Sequence, residues 1–508
     1  MLRRYGPSDW HNAHITYRTE VADLIDIDNV DSTGNYPKGF ALFRNAAETI
    51  HKLVLEAKAA GKKLRAIGAG WALSDINITD GFLLNTKPLN SRFNVADKFF
   101  EPGVAANVRR RIIIAQCGNQ IAELNNVLEL SPPSGHFLSL QAAGIGNGQT
   151  IAGAVSGNTH GSQVNFGAMP DFVVGMHLVT GAGKPLWIER ASRPMLNSAF
   201  AKEIGAEPIR DDELFNAAVV SFGTFGIIAA LAIETADRYH LEFGPIVDRT
   251  WDQMKTRLDT FDPAVPPDLY HHEFIFDPYS KRTMETSAIK VPWAAGHPTP
   301  KPRWIVRTDS GIAPGAKTAE LLAALPAPAS LKTKFSYDQY RKLALLNKVR
   351  GTPGQIYTSS IYYLEGYAEA AFAVSVRDAS KMLEVSRSVI LEMGLPAISQ
   401  VRFVAPSQAT LGFTCHGPRT TVFEYGLINN SSFPKFEQKM DVAMRAAGIA
   451  YTMHWSKNSG ISAEKVRHMY GEARVSKWIE ARRRVFKNDR ELMKVFENDA
   501  LVRANLNG

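Results

Sequence analysis

Cysteine is almost absent from the 508 residues: only Cys117 and Cys415 occur. Two thiols exclude a disulfide framework and any cysteine-rich zinc or iron–sulfur centre. Long apolar runs are also missing. The uncharged, largely apolar stretch 217–233 is slightly short for a membrane span and is broken by Ser221, Gly223, Thr224 and Gly226. It reads as two buried strands around a glycine turn, so no integral membrane segment is expected. The first residues, Met1-Leu-Arg-Arg, are basic, but residues 5–14 carry no apolar core, which argues against a secretory signal and makes the cytoplasm the default location. No segment interleaves basic and aromatic residues on one face, so nucleic acid is not an expected partner. The sequence has no GxSxG elbow, no HExxH and no GxxxxGK[ST].

What is present fits a folded globular protein. Hydrophobic residues make up 45% and charged residues 21%, enough to bury a large core and too apolar for a disordered chain. The length suggests roughly three lobes at about 150 residues each. The 58 basic residues against 50 acidic ones give a net charge of +8, spread along the chain. The densest runs, 109–111 and 482–484, sit beside apolar residues and read as solvated faces of folded elements. A few of these charges would suit an anionic cofactor such as a dinucleotide.

Along the chain, residues 38–43 read as a short strand. Residues 45–60 read as a helix, with Ile50, Leu53, Val54 and Ala57 at helical spacing and Gly61 as the cap. A strand at 64–67 then runs into Gly68-Ala-Gly70. Residues 111–116 read as a strand and 121–128 as a helix. Residues 138–160 read as one long glycine-rich loop ending in a histidine. Strands follow at 172–180 and 186–188, and residues 212–235 give a helix, a glycine turn and a strand. Beyond 240 the texture changes. Residues 260–303 are rich in proline and aromatics, which favours a larger or more apolar substrate. Residues 356–376 and 399–428 alternate like strands, while 379–393 and 463–498 look helical. Transitions near 237 and 440 divide the chain into 1–32, 33–237, 238–440 and 441–508. No solenoid repeat is visible.

Three glycine-rich signals carry chemistry. Ile67-Gly68-Ala69-Gly70-Trp71 follows a strand, where glycines let the backbone turn tightly and aim several N–H groups at a phosphate. Leu73 stands where a dinucleotide fingerprint needs its third glycine, so this is not that motif. Residues 144–161 hold six glycines in eighteen positions, a loop whose backbone approaches something closely, such as a flat ring or a pyrophosphate. The third signal is Ser221-Phe-Gly223-Thr-Phe-Gly226-Ile-Ile228. Each also has a purely structural reading as a turn.

Together and in this order, the three segments resemble the vanillyl-alcohol-oxidase flavoprotein superfamily with its PCMH-type FAD-binding domain. That family's GxGHS turn, GTHG loop and GxxGI turn are matched by GAGWALSD, TIAGAVSGNTHGS and GTFGII. The C-terminal His454-Trp455-Ser456-Lys457 resembles the HWxK motif of the aldonolactone and alditol oxidases. Phe496-Glu-Asn498-Asp499 resembles their closing signature, and Ser399-Gln400-Val401-Arg402 their Glu-x-Arg strand. The resemblance implies an α+β fold: a two-lobed FAD-binding domain over 33–237, and an α+β substrate-binding cap with an antiparallel sheet over 238–440. Residues 441–508 would complete the active site and return to the FAD domain. It also implies FAD as cofactor, held by Ile67, Gly68, Ala69, Gly70, Trp71, Ser74 and Asp75. Thr150, Gly153, Gly157, Asn158, Thr159, His160 and Gly161 would line it from the second loop. Gly223, Gly226, Ile228 and Asn498 would complete the cofactor site.

Two departures matter. The family's GxGHS histidine often bonds covalently to the flavin; Trp71 stands there, so dissociable FAD is expected. Cys117 does not match a second attachment site. Gln400 replaces the family's glutamate, keeping hydrogen bonding but losing the negative charge. It shares a strand face with Arg402. Glu424, on the next apparent strand, is a candidate replacement carboxylate, although a salt-bridged glutamate is the plainer reading.

The resemblance implies oxidation of a CH–OH group in a small-molecule alcohol, polyol or sugar lactone, with hydride transfer to flavin N5 and oxygen or another acceptor taking the electrons. Lys457 would stabilise charge at the flavin, and Arg402 the substrate oxygen. Gln400, His454 and Glu424 are the further catalytic candidates, and Ser162, Gln400, Arg402 and Tyr425 the substrate-binding ones. His160 reads as structural. Two alternatives stay open: an oxidative cyclase or desaturase depending more on Glu424 or Tyr425, and a non-catalytic flavin-binding scaffold. His271-His272-Glu273 groups ligand-type residues, but neighbours on a strand face opposite ways, so no metal site is expected.

Overall fold

The computed structural model describes residues 1–31, 33–132, 135–144, 146–261, 265–296, 325–343, 346–357, 368–427 and 430–508. The mixed α+β fold is built on three main sheets. The first has the strand order Leu2–Arg4, Asp23–Ile27, Phe82–Asn85, Leu64–Ile67, with the last three parallel. Parallel strands need a crossover, and the helix Phe40–Ala59 provides one. It buries Phe43, Ala46, Ala47, Ile50, Leu53, Val54 and Ala57 at spacings of three and four. The strand expected at 38–43 is absent: Phe40 opens this helix. A short apolar run fits a strand or a first helical turn equally well, and here Phe40 and Phe43 dock edge-on against Phe93.

The second sheet has six strands in the order Glu207–Arg210, Leu186–Glu189, Val173–Val179, Ile227–Glu234, Ile112–Gln116, Arg92–Asn94. Its centre is buried on both faces, which explains the unbroken apolar runs. Two expectations change here. Residues 217–233 hold only one strand, because Asp211 caps the helix Asp212–Ala218 by accepting from Leu214 N. The glycine-rich loop is not loop throughout: its small residues allow the short helix Ile151–Ser156.

The third sheet is antiparallel and has nine strands. Its order is Arg350–Gly351, Tyr239–Phe243, Arg282–Pro292, Leu269–Asp277, Ala397–Val404, Thr420–Leu427, Ala368–Ser375, Tyr451–Met453, with Val247–Arg249 beside Arg282–Pro292. Its last strand comes from beyond residue 440. One face carries Phe274, Val401, Phe423 and Phe372 into the main core, which the helices Ala379–Met393 and Phe433–Ala446 share. The other face carries the site residues. Helices Glu472–Val485 and Arg490–Val495 then return to pack on Asp212–Ala218 and Phe40–Ala59.

The run 482–484 is not wholly solvated. Arg482 is fully buried and donates to the carbonyls of Thr224, Met493 and Asn507. Residues 297–303 and 358–367, parts of segments discussed above, lie outside the described residues. Among the described residues no helix is long and apolar enough to cross a membrane.

Candidate active site

The three glycine turns converge. After the strand Leu64–Ile67, a Cβ on Gly68 would stand 2.0 Å from Thr150 Oγ1, so the first turn abuts the start of the Ile151–Ser156 helix. Gly70 adopts φ +66°, the left-handed region that favours glycine. Gly153 has only Thr150 Oγ1 near its missing Cβ, at 3.3 Å. Gly157 is pressed against Ser456, whose Oγ would lie 2.2 Å from a Cβ. The third turn meets the far end of the same helix: Gly223 N donates to Ser156 Oγ at 3.2 Å. Gly226 lies against Val179, and Ile228 is buried in the strand that follows.

The remaining cofactor candidates hold these turns. Ser74 Oγ donates to Trp455 O at 2.7 Å, and Leu73 N to Ser456 O at 2.8 Å, which docks the HWSK segment on the first turn. Asn498 donates to Ile76 O at 2.8 Å, and Arg503 pairs with Asp75. Asn158, at φ +60°, accepts from Phe413 N at 2.9 Å, and Thr159 N donates to Ala154 O. Gly161 would place a Cβ 2.3 Å from Ala143 O. Three adjoining stretches of glycine-rich backbone, packed tightly at Gly68, Gly157 and Gly161 and more open at Gly70, Gly153 and Gly223, fit an extended, flat and phosphate-bearing cofactor. Cys117 stays inert, as burial pushes its thiol up to about 12.

Against this cradle the nine-stranded sheet sets a cluster of charges. Arg402 faces Glu273 directly across one strand pair, and Gln400 faces Glu424 across the other. The Arg402 guanidinium donates from Nε to Glu273 at 3.0 Å and from Nη2 to Gln400 Oε1 at 2.7 Å, and its Nη1 lies 2.9 Å from Glu424. Lys457 donates to Glu424 at 2.8 Å and to Glu369. It reaches both because the backbone of residues 454–458 runs along Glu369 and Ala371. Two cations thus face three carboxylates in a nearly dry place: Glu273 is 2% exposed and Glu424 4%.

Burial opposes charge here, and the pairing overcomes it. Arg402 holds Glu273 below the usual carboxylate range, and Arg402 and Lys457 do the same to Glu424. Lys457 is raised by Glu369 and Glu424. The histidines go the other way. Burial lowers His160 to about 4 and His454 well below its ordinary value, so both are neutral. His160 Nδ1 lies 3.0 Å from its acceptor, Gly161 O, so its unprotonated Nε2 faces Glu424 at 3.7 Å. His454 Nδ1 accepts from Ser456 N, which puts its hydrogen on Nε2.

The structure therefore brings Arg402, Gln400, Glu424, Lys457, His454 and His160 together. Tyr425 is not among them. It lies on the opposite sheet face between Phe372 and Phe436, because neighbours on a strand alternate. Ser162 is nearby, but its hydroxyl donates to His272 O. Trp455 points into the core against Phe222. The sequence did not single out Glu369, and it presented His271 and Glu273 only as ligand-type residues. Buried charges inside apolar strands were the available signal, but the cross-strand register that pairs them is not local. His272 does face away from His271, with Nε2 3.2 Å from Glu285. Among the described residues no metal-binding group is formed.

Known proteins share the FAD-binding domain and the fold. Residues 37–189 match a family described as an FAD binding domain. The D-arabinono-1,4-lactone oxidase of Debaryomyces hansenii is 27% identical over 206 residues, 40% of this chain and 33% of that protein. The L-gulono-1,4-lactone dehydrogenase of Mycobacterium tuberculosis is 24% identical over 449 residues, 85% of this chain and 89% of that one. A cholesterol oxidase structure from Brevibacterium sterolicum superposes with a TM-score of 0.69 at 12% identity, covering 99% of this chain and 97% of that one, a likeness of fold. The chain is an FAD-dependent oxidoreductase with a PCMH-like fold, and it is similar to the aldonolactone oxidases and dehydrogenases.

Proposed function

We propose that the protein oxidises a CH–OH group of a sugar lactone, or of a related polyol, with dissociable FAD. The observation that carries this reading is the Arg402–Lys457 cluster, set by one sheet face against His160 of the glycine loop. The names of the two lactone-oxidising relatives support the substrate class. When bound, FAD would accept the hydride at N5 and pass the electrons to oxygen or another acceptor.

In this reading Arg402 holds and polarises the substrate oxygen. His160 Nε2 carries no hydrogen and, unlike His454 Nδ1, is not taken up by a backbone N–H; it takes the hydroxyl proton, and Glu424 stabilises the resulting imidazolium. His454 keeps its hydrogen on Nε2 and serves as a donor. Lys457 provides the positive charge where electrons arrive. The backbone of the three glycine turns holds the cofactor, and Trp71 replaces the attachment histidine.

A panel of L-gulono-1,4-lactone, D-arabinono-1,4-lactone, xylitol and sorbitol, with oxygen and with artificial acceptors, tests the reading. Turnover of at least one lactone or polyol is expected, and Arg402→Ala should abolish it. No turnover of any member would contradict the reading.

A further inference from the structure

The segment His271-His272-Glu273 has no part in the reading above, yet two of its residues enter the site. The strand Leu269–Asp277 puts 271 and 273 on the face that carries Arg402. Glu273 lies directly across from Arg402 and accepts from its Nε at 3.0 Å. Behind it, His271 Nε2 stands 3.7 Å from the other carboxylate oxygen. The far nitrogen of the same ring, Nδ1, is 3.3 Å from the Tyr357 hydroxyl. Tyr357, His271, Glu273 and Arg402 thus form a buried row ending on the guanidinium.

Position 400 offers less. Its amide accepts one bond from Arg402 Nη2 and donates to the Tyr340 hydroxyl at 3.2 Å. An amide carries no charge to balance a buried guanidinium. A planar guanidinium is fixed when several of its edges are engaged: Glu424 supplies the charged contact at Nη1 and Glu273 the one at Nε.

We infer that Glu273, one strand across from Arg402, supplies at Nε the fixing charge that the neutral amide at position 400 does not supply at Nη2. Backed by His271 and Tyr357, Glu273 is the positioning residue that sets the Arg402 guanidinium toward the substrate. The inference rests on the reading of Arg402 as the group that meets the substrate oxygen.

The test compares wild type, Glu273→Gln, Gln400→Glu and the double variant Glu273→Gln/Gln400→Glu, each loaded with FAD, on whichever probe of the lactone and polyol panel the wild type turns over. Glu273→Gln should lower kcat about 100-fold, the scale of losing one preorganised electrostatic contact. Its KM should change much less, and its flavin spectrum should be retained. The double variant returns the charge from the neighbouring strand and should recover at least about tenfold over Glu273→Gln, a rescue that a general packing role for Glu273 would not produce. Near-wild-type kcat in Glu273→Gln overturns the inference, and so does a double variant no better than the single one. A wild type inactive on every probe overturns the functional reading itself, and this inference with it.

Discussion

The indole of Trp71 occupies the space that a side chain at Gly148 would need: its Cζ2 stands 2.1 Å from where that Cβ would lie. The first turn and the glycine loop are keyed together by this contact. His14 meets the same indole edge-on, with centroids 5.1 Å apart. Gly148 has no unusual φ, so alanine there is purely a steric insult. Gly148→Ala should weaken FAD binding by about tenfold to 100-fold, the scale of 1–3 kcal/mol of overpacking, as read by fluorescence titration of the apoprotein. On the proposed reading, in which Trp71 stands where relatives carry an attachment histidine, acid precipitation of the holoprotein should leave all flavin in the supernatant. Colour in the pellet would contradict the account of Trp71.

Lys457 is the second test. Its ammonium is shared between Glu369 and Glu424, and removing it leaves three carboxylates, Glu273, Glu369 and Glu424, with Arg402 as the one remaining cation of the cluster. Lys457→Met should lower kcat by about 100- to 1000-fold, as expected for a group acting on developing charge. It should also lower the melting temperature, because a buried pair is broken. Lys457→Arg should recover the melting temperature more than the rate, since the longer planar head cannot place its charge at the same point.

The acid limb of activity follows from His160. Burial outweighs the attraction of Glu424 and lowers this imidazole to about 4. A base works only when unprotonated, so kcat/KM should stay level from neutral pH down to well below 6.5 and fall only as the pH approaches about 4. Stability runs with the same sign. The unfolded chain takes up this proton near the ordinary histidine value of about 6.5, so the folded state loses stability as pH drops from there toward 4. A kcat/KM profile with its acid limb near 6.5 would rule out His160 as the base. His160→Asn should cost about 100-fold or more in kcat.

A control on the fold comes from the basic run near the C-terminus. Arg482 satisfies three backbone carbonyls from full burial, whereas Arg483 is exposed. Arg482→Met should destabilise by about 3 kcal/mol or more through the orphaned carbonyls. Arg483→Met should stay within about 0.5 kcal/mol. Urea unfolding of both variants checks the contrast.

The parts of this protein that were legible in its sequence are those written locally. The turns at Gly70, Gly223 and Gly226 follow from glycine at positive φ beside strands. The helix Ala379–Met393 shows because its apolar spacing ends at Gly394, which takes the left-handed cap. The row of residues 454–457 was equally plain as a motif. Pairings across the sheet were not. Glu273 and Arg402 are 129 residues apart, and Lys457 and Glu369 are 88 apart. Strand register brings the first pair together, and the run of residues 454–458 along Glu369 and Ala371 the second. Tyr425 was misplaced for a simpler reason: once Glu424 faces Arg402, alternation sends its neighbour to the core. Arg482 looked solvated because a run of three arginines hides which one faces inward.

The most direct measurement is anaerobic mixing of the FAD-loaded protein with L-gulono-1,4-lactone, followed through the flavin's visible absorption, with xylitol as the polyol comparison. The account predicts bleaching by at least one of the two in wild type, and bleaching about 100-fold slower or lost in Arg402→Ala, where the group that meets the substrate oxygen is gone. A flavin that binds fully yet stays oxidised with both, or that bleaches equally fast in Arg402→Ala, would contradict it.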